Sequence, residues 1–341
     1  MISANDAFPE LRLHGSPREI GWQHGEQLRE QIACTLDYYR CIFGLGEAQL
    51  KERAEAFARI IGDFEPAFAQ EIEAIAEAAN LDSRFIYALN SRSEILNNIS
   101  IAECTAVASS AGKILAQNWD WSEALEELVV LITIEPQQGP RILTLTEPGI
   151  IGKIGMNSAG LGVCLNILKS ERRLLGLPVH VLLRAILHCE TIAQVRELVG
   201  RVCVGKASHI LVADAMGESL SMEFCAEETL EIEPEDGVLL HTNHYLGRES
   251  LNTEEAFPST RERHARAIQI LRGGASQERI EEVLADQTQA EMSICRPYSP
   301  SDTPGFGNVG SVFTVIMALQ ERQMVVRRGP RPDAGFRQFR L

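Results

Sequence analysis

Among the eight cysteines of the chain, Cys104 has neighbours that could make it a nucleophile. It stands in Glu103-Cys104-Thr105, where an apolar stretch begins. The segment expected to fold back on it carries Gln117-Asn118-Trp119-Asp120-Trp121, which puts the Asp120 carboxylate at a strand end near the thiol. Downstream, His241-Thr242-Asn243-His244 puts the Asn243 amide at another strand end, and Ser293-Ile294-Cys295-Arg296 adds a guanidinium. A thiol, a carboxylate, an amide and a guanidinium are the parts of an acyl-transfer site. Spacing alone leaves two readings open. Either the four groups converge, or Asp120 and Asn243 make strand-end hydrogen bonds and Arg296 a surface ion pair. Free cysteine is often an inert core residue, and Cys164 in GVCLNIL reads that way.

Other motifs point away from other chemistries. No CxxC pair, GxSxG elbow, HExxH or phosphate-loop sequence occurs. GFGNVG at 305–310 matches GxGxxG, but a dinucleotide fingerprint follows a strand and opens a helix. Here it follows Pro304 and opens the strand VFTVIMAL, so it reads as a loop. His241 and His244 sit at a strand end and read as structural, and no metal is expected.

The surrounding chain is ordinary globular material. It has 341 residues, 45% hydrophobic and 23% charged, with a formal charge of −15. Nucleic-acid binding rests on Lys and Arg neutralising phosphate, so an acidic chain is a poor candidate. Anionic membranes are disfavoured for the same reason. Without a signal-peptide pattern, an apolar run of membrane length or a disulfide scaffold, the expectation is a soluble cytoplasmic protein.

The elements that must position these groups change character near residue 100. Residues 16 to 98 read as helices, opened by a capping box at Ser16-Pro17-Arg18-Glu19. Leu50, Ala54, Phe57, Ile61 and Phe64 share one face, and Gly62 with Pro66 divides this helix from one carrying Phe68, Ile72, Ile75 and Ala79. Asn80 reads as a stop and Asp82 as the cap of a helix through Ile95. From Cys104 the period switches to two. Three hairpins follow, the last turning through Asn157-Ser158-Ala159-Gly160. Helices are expected at 178–188 and 192–201, then four strands, a helical pair over 259–285 and a closing hairpin. The tail beyond Gly329 reads as a surface tail. Hairpin-joined strands with helical excursions fit an α+β fold, a four-layer αββα sandwich of antiparallel sheets with a helical N-terminal segment.

Several segments carry a family likeness: LHGSPREIGWQHGEQLRE, ECTAVASS, AQNWDW, TEPGIIGKIGMNSAGLGVCLN, HTNH and SICRPY. In this order, across nearly the whole chain, they resemble the isopenicillin-N acyltransferase family of cysteine N-terminal nucleophile hydrolases. The resemblance implies an inactive precursor that cuts itself between Glu103 and Cys104. Residues 1–103 would become a helical α chain and 104–341 the αββα catalytic β chain, together one globular unit. Cys104 would be the nucleophile, Asn243 an oxyanion donor and Asp120 the group that holds the Cys104 amine. Arg296 would order the site or hold a substrate carboxylate. The freed α-amine, with a reference pKa near 7.7–8.0, would take the thiol proton, since a carboxylate near 3.9 is a weak base at pH 7.

The implied reaction is hydrolysis of a small N-acyl amine or peptide through an acyl-Cys104 thioester. Acyl-CoA-dependent N-acyl transfer of the penicillin type is the alternative, and a silent binding protein of the same fold a further one. No cofactor is implied, coenzyme A entering only as a thioester substrate. Two positions depart from the family pattern: Glu103 stands where several members have Gly, and Ala106 where the family has Ser.

Overall fold

The chain enters the fold on an alternating stretch, Glu10–Gly15 (β1), which buries Leu11 and Leu13 and turns Glu10, Arg12 and His14 outward. A computed structural model describes residues 8–96, 103–172, 174–226, 228–253 and 257–341. Residues 97 and 98 of the expected helical stretch lie outside the described residues, as do residues 1–7 of the N-terminal stretch read for a signal peptide. Six helices follow β1: Pro17–Gln27 (α1), Arg29–Phe43 (α2), Glu47–Phe64 (α3), Pro66–Ala79 (α4), Ser83–Asn90 (α5) and Arg92–Ile95 (α6).

Local chemistry accounts for their ends. Ser16 accepts from Glu19 N, Glu19 reaches back to Ser16 N, and Pro17 opens α1. The face Leu50, Ala54, Phe57 and Ile61 is buried in α3, as its spacing predicts. That helix runs through Gly62 and stops at Glu65, because Pro66 cannot supply the next helical hydrogen bond. Asn80 closes α4 in the left-handed region at φ 57°, and Asp82 Oδ1 caps α5 through Arg84 N. The helix expected through Ile95 breaks at Ser91. α1 lies close on α4. A Cβ at Gly21 would stand 2.2 Å from Glu71 O, so only glycine permits the approach.

The three hairpins are Cys104–Ser109 (β2) with Ile114–Ser122 (β3), Val130–Pro136 (β4) with Ile142–Thr146 (β5), and Ile154–Asn157 (β6) with Leu161–Ile167 (β7). Val179–Ile186 (α7) and Ile192–Val199 (α8) precede Ser208–Asp214 (β8), Ser219–Phe224 (β9), Thr229–Ile232 (β10) and Val238–His241 (β11). Then come Thr260–Leu271 (α9), Gln277–Ala285 (α10), Ser299–Pro300 (β12), Asn308–Ala318 (β13), Gln323–Arg328 (β14) and Arg337–Arg340 (β15).

One sheet runs β1-β4-β5-β6-β7-β8-β9-β10, and the other β11-β2-β3-β13-β14-β15 with β12 on β13. β2 and β3 pack on β7 and β8, joining the sheets face to face. α1 lies against β1 and β4 and α8 against β8, while α9 covers β11 and α10 covers β3. The result is the expected α+β, four-layer αββα sandwich. Both faces of β2 are therefore buried: Val107 packs with Ala267 and Ile280 under the helices, and Ala106 joins the core between the sheets.

Three expectations need correcting. The sheets are not wholly antiparallel, because β1 pairs with β4 in parallel. The stretch 1–103 is not all helix, since β1 adds an edge strand to the sheet that residues beyond 103 build. The tail beyond Gly329 is not merely a surface tail: β15 pairs with β14, and Arg337 reaches Glu10 at 2.8 Å. The GFGNVG stretch is loop through Gly307 and strand from Asn308. No helix among the described residues is long and apolar enough to cross a membrane.

Candidate active site

Cys104 is the first residue of β2 and stands opposite Trp119 on β3. That register puts the next backbone N–H, of Asp120, on the carbonyl oxygen of Glu103 at 2.9 Å. β11 pairs His241 with Ala106, so the chain just past the strand end brings Asn243 alongside Cys104. Asn243 Oδ1 accepts the Cys104 amide hydrogen at 2.8 Å, and Asn243 Nδ2 donates to Ile167 O at 2.9 Å. A register shift in β13 lies between Ser311 and Phe313. Ser311 Oγ donates to Asp120 Oδ1 at 2.6 Å and accepts from Arg296 N at 2.9 Å. Arg296 Nη1 lies 3.4 Å from Glu103 Oε1.

All four residues chosen from sequence thus gather at one peptide bond, Glu103–Cys104. Strand-end hydrogen bonding is part of how they get there, but the arrangement is not a surface feature. Cys104, Asp120 and Asn243 are almost wholly buried, and the Arg296 side chain is 17% exposed. Asn243 meets Cys104 through its oxygen, not its nitrogen. Cys164 lies in β7, buried in the core. His241 bonds Glu223 at 2.8 Å and stacks on His209 at 3.6 Å, and His244 bonds Thr260 Oγ1 at 3.0 Å. Both histidines are structural, as read.

Sequence reasoning missed Arg263. This fully buried guanidinium of α9 donates from Nη1 to Cys104 O at 2.7 Å and to Thr105 Oγ1 at 2.9 Å. Its Nη2 donates to Asn243 Oδ1 at 2.7 Å and lies 3.2 Å from Glu103 Oε2. Its Nε donates to Ser259 Oγ, whose hydroxyl donates to Glu103 Oε2. A signal was present. Thr260, Arg263, Ala267 and Ile270 fall on one helical face, so an arginine stood in an apolar position of RERHARA.

A second cationic group, also missed, lies on the other side of the thiol. Lys153 Nζ sits 2.9 Å from the centre of the Trp119 ring and 2.9 Å from Glu147 Oε2. Arg92 Nε pairs with Glu147 Oε1 at 3.0 Å, and Tyr39 donates to the same carboxylate. Cys104, Trp119, Lys153, Leu165, Arg92 and His180 line a cavity of about 10 Å³, room for roughly one water.

Burial sets the acid–base character. It pushes the Cys104 thiol up to about 12, with Asp120 adding to the shift and Lys153 and Arg263 opposing it. Burial lowers Lys153 to about 7. Burial also raises Asp120 to about 7, against the pull of Arg263 and the Ser311 hydrogen bond. The expectation of a carboxylate near 3.9 is therefore overturned, because an ionised carboxylate loses its water at this depth. No cluster of three or more histidine, cysteine or carboxylate groups suited to a metal occurs among the described residues.

Known proteins resemble this chain in structure and in sequence. A mutant conjugated bile acid hydrolase of Clostridium perfringens aligns in structure at TM-score 0.49 and 13% identity, over 71% of this chain and 92% of its own. A penicillin V acylase of Agrobacterium tumefaciens aligns at 0.43 and 12%, over 66% and 82%. In sequence, the 40 kDa form of acyl-coenzyme A:6-aminopenicillanic-acid-acyltransferase of Emericella nidulans is 30% identical over 340 residues, which is 95% of this chain and 93% of that protein. The family model for acyl-coenzyme A:6-aminopenicillanic acid acyl-transferase matches residues 107–329. The chain belongs to the acyl-coenzyme A:6-aminopenicillanic acid acyl-transferase family.

Proposed function

We propose that this protein cuts its own chain between Glu103 and Cys104 and then hydrolyses small N-acyl amines or peptides through an acyl-Cys104 thioester. The observation that carries the reading is the hold on that one peptide bond. Asp120 N–H sits on the Glu103 carbonyl oxygen, Asn243 Oδ1 on the Cys104 N–H, and Arg263 on the Cys104 carbonyl. A backbone N–H on the carbonyl oxygen stabilises the charge that develops there when Sγ adds to the Glu103 carbonyl carbon.

In self-cleavage the thiol proton passes to the amide nitrogen, the C–N bond breaks and Glu103 is left as a thioester on Cys104. Water then returns the free thiol and leaves Glu103 with a new carboxyl group. The Cys104 α-amine is freed when the C–N bond breaks, and stands beside a free thiol once the thioester is hydrolysed. It can take the thiol proton, which a precursor amide nitrogen cannot do. In turnover Sγ adds to the substrate carbonyl, the amine leaves with the proton, and water releases the acid. Asn243 Oδ1 would hold the Cys104 nitrogen, and its Nδ2 would be the donor to the substrate oxyanion. Asp120 would orient the amine.

No cofactor is needed for these steps. The family match favours a second reading, in which an amine replaces water and a coenzyme A thioester can be the acyl donor. Intact mass tests the common step. A chain of 37.7 kDa should give two fragments, the larger beginning Cys-Thr-Ala-Val. An active, uncut chain would sink the proposal. An uncut and inactive chain would support a binding protein of the same fold.

A further inference from the structure

We infer that Arg263, Arg296 and Ser259, which grip the Glu103 side chain in the uncut chain, form the subsite for a carboxylate on the substrate's acyl group. The preferred substrates are amides of a glutaryl-type acid, with that carboxylate on the fifth carbon from the scissile carbonyl. This inference rests on the reading of Cys104 as the nucleophile.

The thioester formed in self-cleavage has Glu103 as the acyl group on Cys104 Sγ. Glu103 is thus the first acyl group the site handles, and its side chain marks where an acyl substituent lies. Counting the carbonyl carbon as one, a glutamate carboxylate is carbon five. Its Oε1 lies 3.4 Å from Arg296 Nη1, and its Oε2 lies 3.2 Å from Arg263 Nη2 and accepts from Ser259 Oγ. The Glu103 side chain is only 7% exposed and that of Arg263 is fully buried.

Charge balance gives the same answer. Before cleavage the two guanidinium groups face Glu103 and Asp120. When the end of the α chain withdraws, one carboxylate, Asp120, is left facing the two cations. Buried charge without a partner is strongly disfavoured, so the vacated clamp selects an anion. Arginine also suits a carboxylate through its planar fork of donors. A neutral acyl chain of equal length would leave both guanidinium groups without the carboxylate that Glu103 supplies in the uncut chain, and sites built this way discriminate strongly against such analogues.

The test compares glutaryl p-nitroanilide with its side-chain amide, the neutral isostere, on cleaved protein. The glutaryl compound should show kcat/KM about a hundredfold higher, chiefly through KM. Arg296→Met should bring the two rates together. A cleaved protein beginning Cys-Thr-Ala-Val that hydrolyses both alike overturns the subsite and leaves the nucleophile reading standing. A chain that stays whole and hydrolyses neither overturns both.

A binding measurement covers the case in which Arg296→Met does not fold. A chain carrying Cys104→Ala and Glu103→Gly presents the clamp without its own carboxylate, so propionate, which matches the three side-chain carbons removed, should raise its melting temperature. The Cys104→Ala chain, with Glu103 in place, should not respond. Equal responses, or none in either, overturn the inference.

Discussion

Asn243 Oδ1 accepts the backbone N–H of Cys104 at 2.8 Å, across 139 residues of sequence. The orientation of that amide is set by Arg263, whose Nη2 also donates to Oδ1 at 2.7 Å. A guanidinium has donors only, so the atom facing it must be the oxygen. In the proposed self-cleavage this one side chain would mark the scissile nitrogen and then stand beside the α-amine.

Asn243→Ala should consequently slow two steps. Self-cleavage loses the group that holds the scissile N–H, and turnover loses its oxyanion donor. The expected rise in the acylation barrier is on the order of 3 kcal/mol. The check is kcat/KM for an activated amide or thioester, read beside the half-time of cleavage and the melting temperature. An unchanged rate removes Asn243 from the chemistry, and a collapsed melting temperature assigns it to structure.

Cys104→Ala should abolish both cleavage and turnover, whereas Cys164→Ala should leave both measurable. The first is the strand-initial thiol beside the scissile bond, and the second is a core residue of β7. Substantial turnover by the Cys104→Ala protein removes the nucleophile assignment.

Arg263→Met should destabilise the uncut chain by about 3–5 kcal/mol, because it leaves Glu103 buried with one cation fewer and Cys104 O without its donor. Urea unfolding of this variant in a Cys104→Ala background isolates stability from cleavage. A loss under about 1 kcal/mol would mean that Arg296 and Ser259 suffice to hold Glu103.

The legible part of this site was the part written in strand ends. Cys104 opens a period-two stretch, Asp120 stands near the end of one and Asn243 just past another, so local pattern pointed to them, while the family resemblance joined them with Arg296, which lies outside the strands. Arg263 and Lys153 come from elements that nothing in the sequence connects to Cys104. Arg263 stands among four charged or histidine neighbours in its helix, which mask its place on the apolar face until the covering of β11 by α9 is known. β1 and β15 escaped for a related reason. A hairpin announces its partner across a turn, but β1 pairs in parallel with β4, more than 100 residues away. Ionisation was the least legible property. The shift of Asp120 comes from burial, and burial at that strand end depends on both sheets and the helices over them.

The raised Asp120 pKa has a consequence for stability whose sign is fixed. With a folded value of about 7 against an ordinary 3.8, the group favours the folded state fully below about pH 4 and loses that contribution as pH rises toward 7. Asp120→Asn has no such dependence. Its stability relative to the parent should therefore grow between about pH 4 and pH 7, by an amount on the order of 4 kcal/mol if the whole shift is expressed. Urea unfolding at several pH values, both chains carrying Cys104→Ala, gives the difference. A constant difference would mean that Asp120 stays ionised throughout.

The same shift changes how the proton acceptor must be identified. The α-amine titrates near 7.7–8.0 in its reference state, and burial raises Asp120, to about 7 in the uncut chain, so the position of an acidic limb in kcat/KM does not by itself separate them. Survival of the limb does. If the Cys104 amine accepts the proton, cleaved Asp120→Asn keeps an acidic limb. That limb moves to lower pH, because a carboxylate no longer favours the protonated amine. The rate falls through lost orientation. If Asp120 itself is the base, the limb disappears with the carboxylate and the residual rate becomes flat down to the pH at which the fold is lost. The measurement is the pH profile of kcat/KM for parent and Asp120→Asn, both already cleaved at Cys104. A shifted limb in the variant supports the amine, and a missing one transfers the role to Asp120.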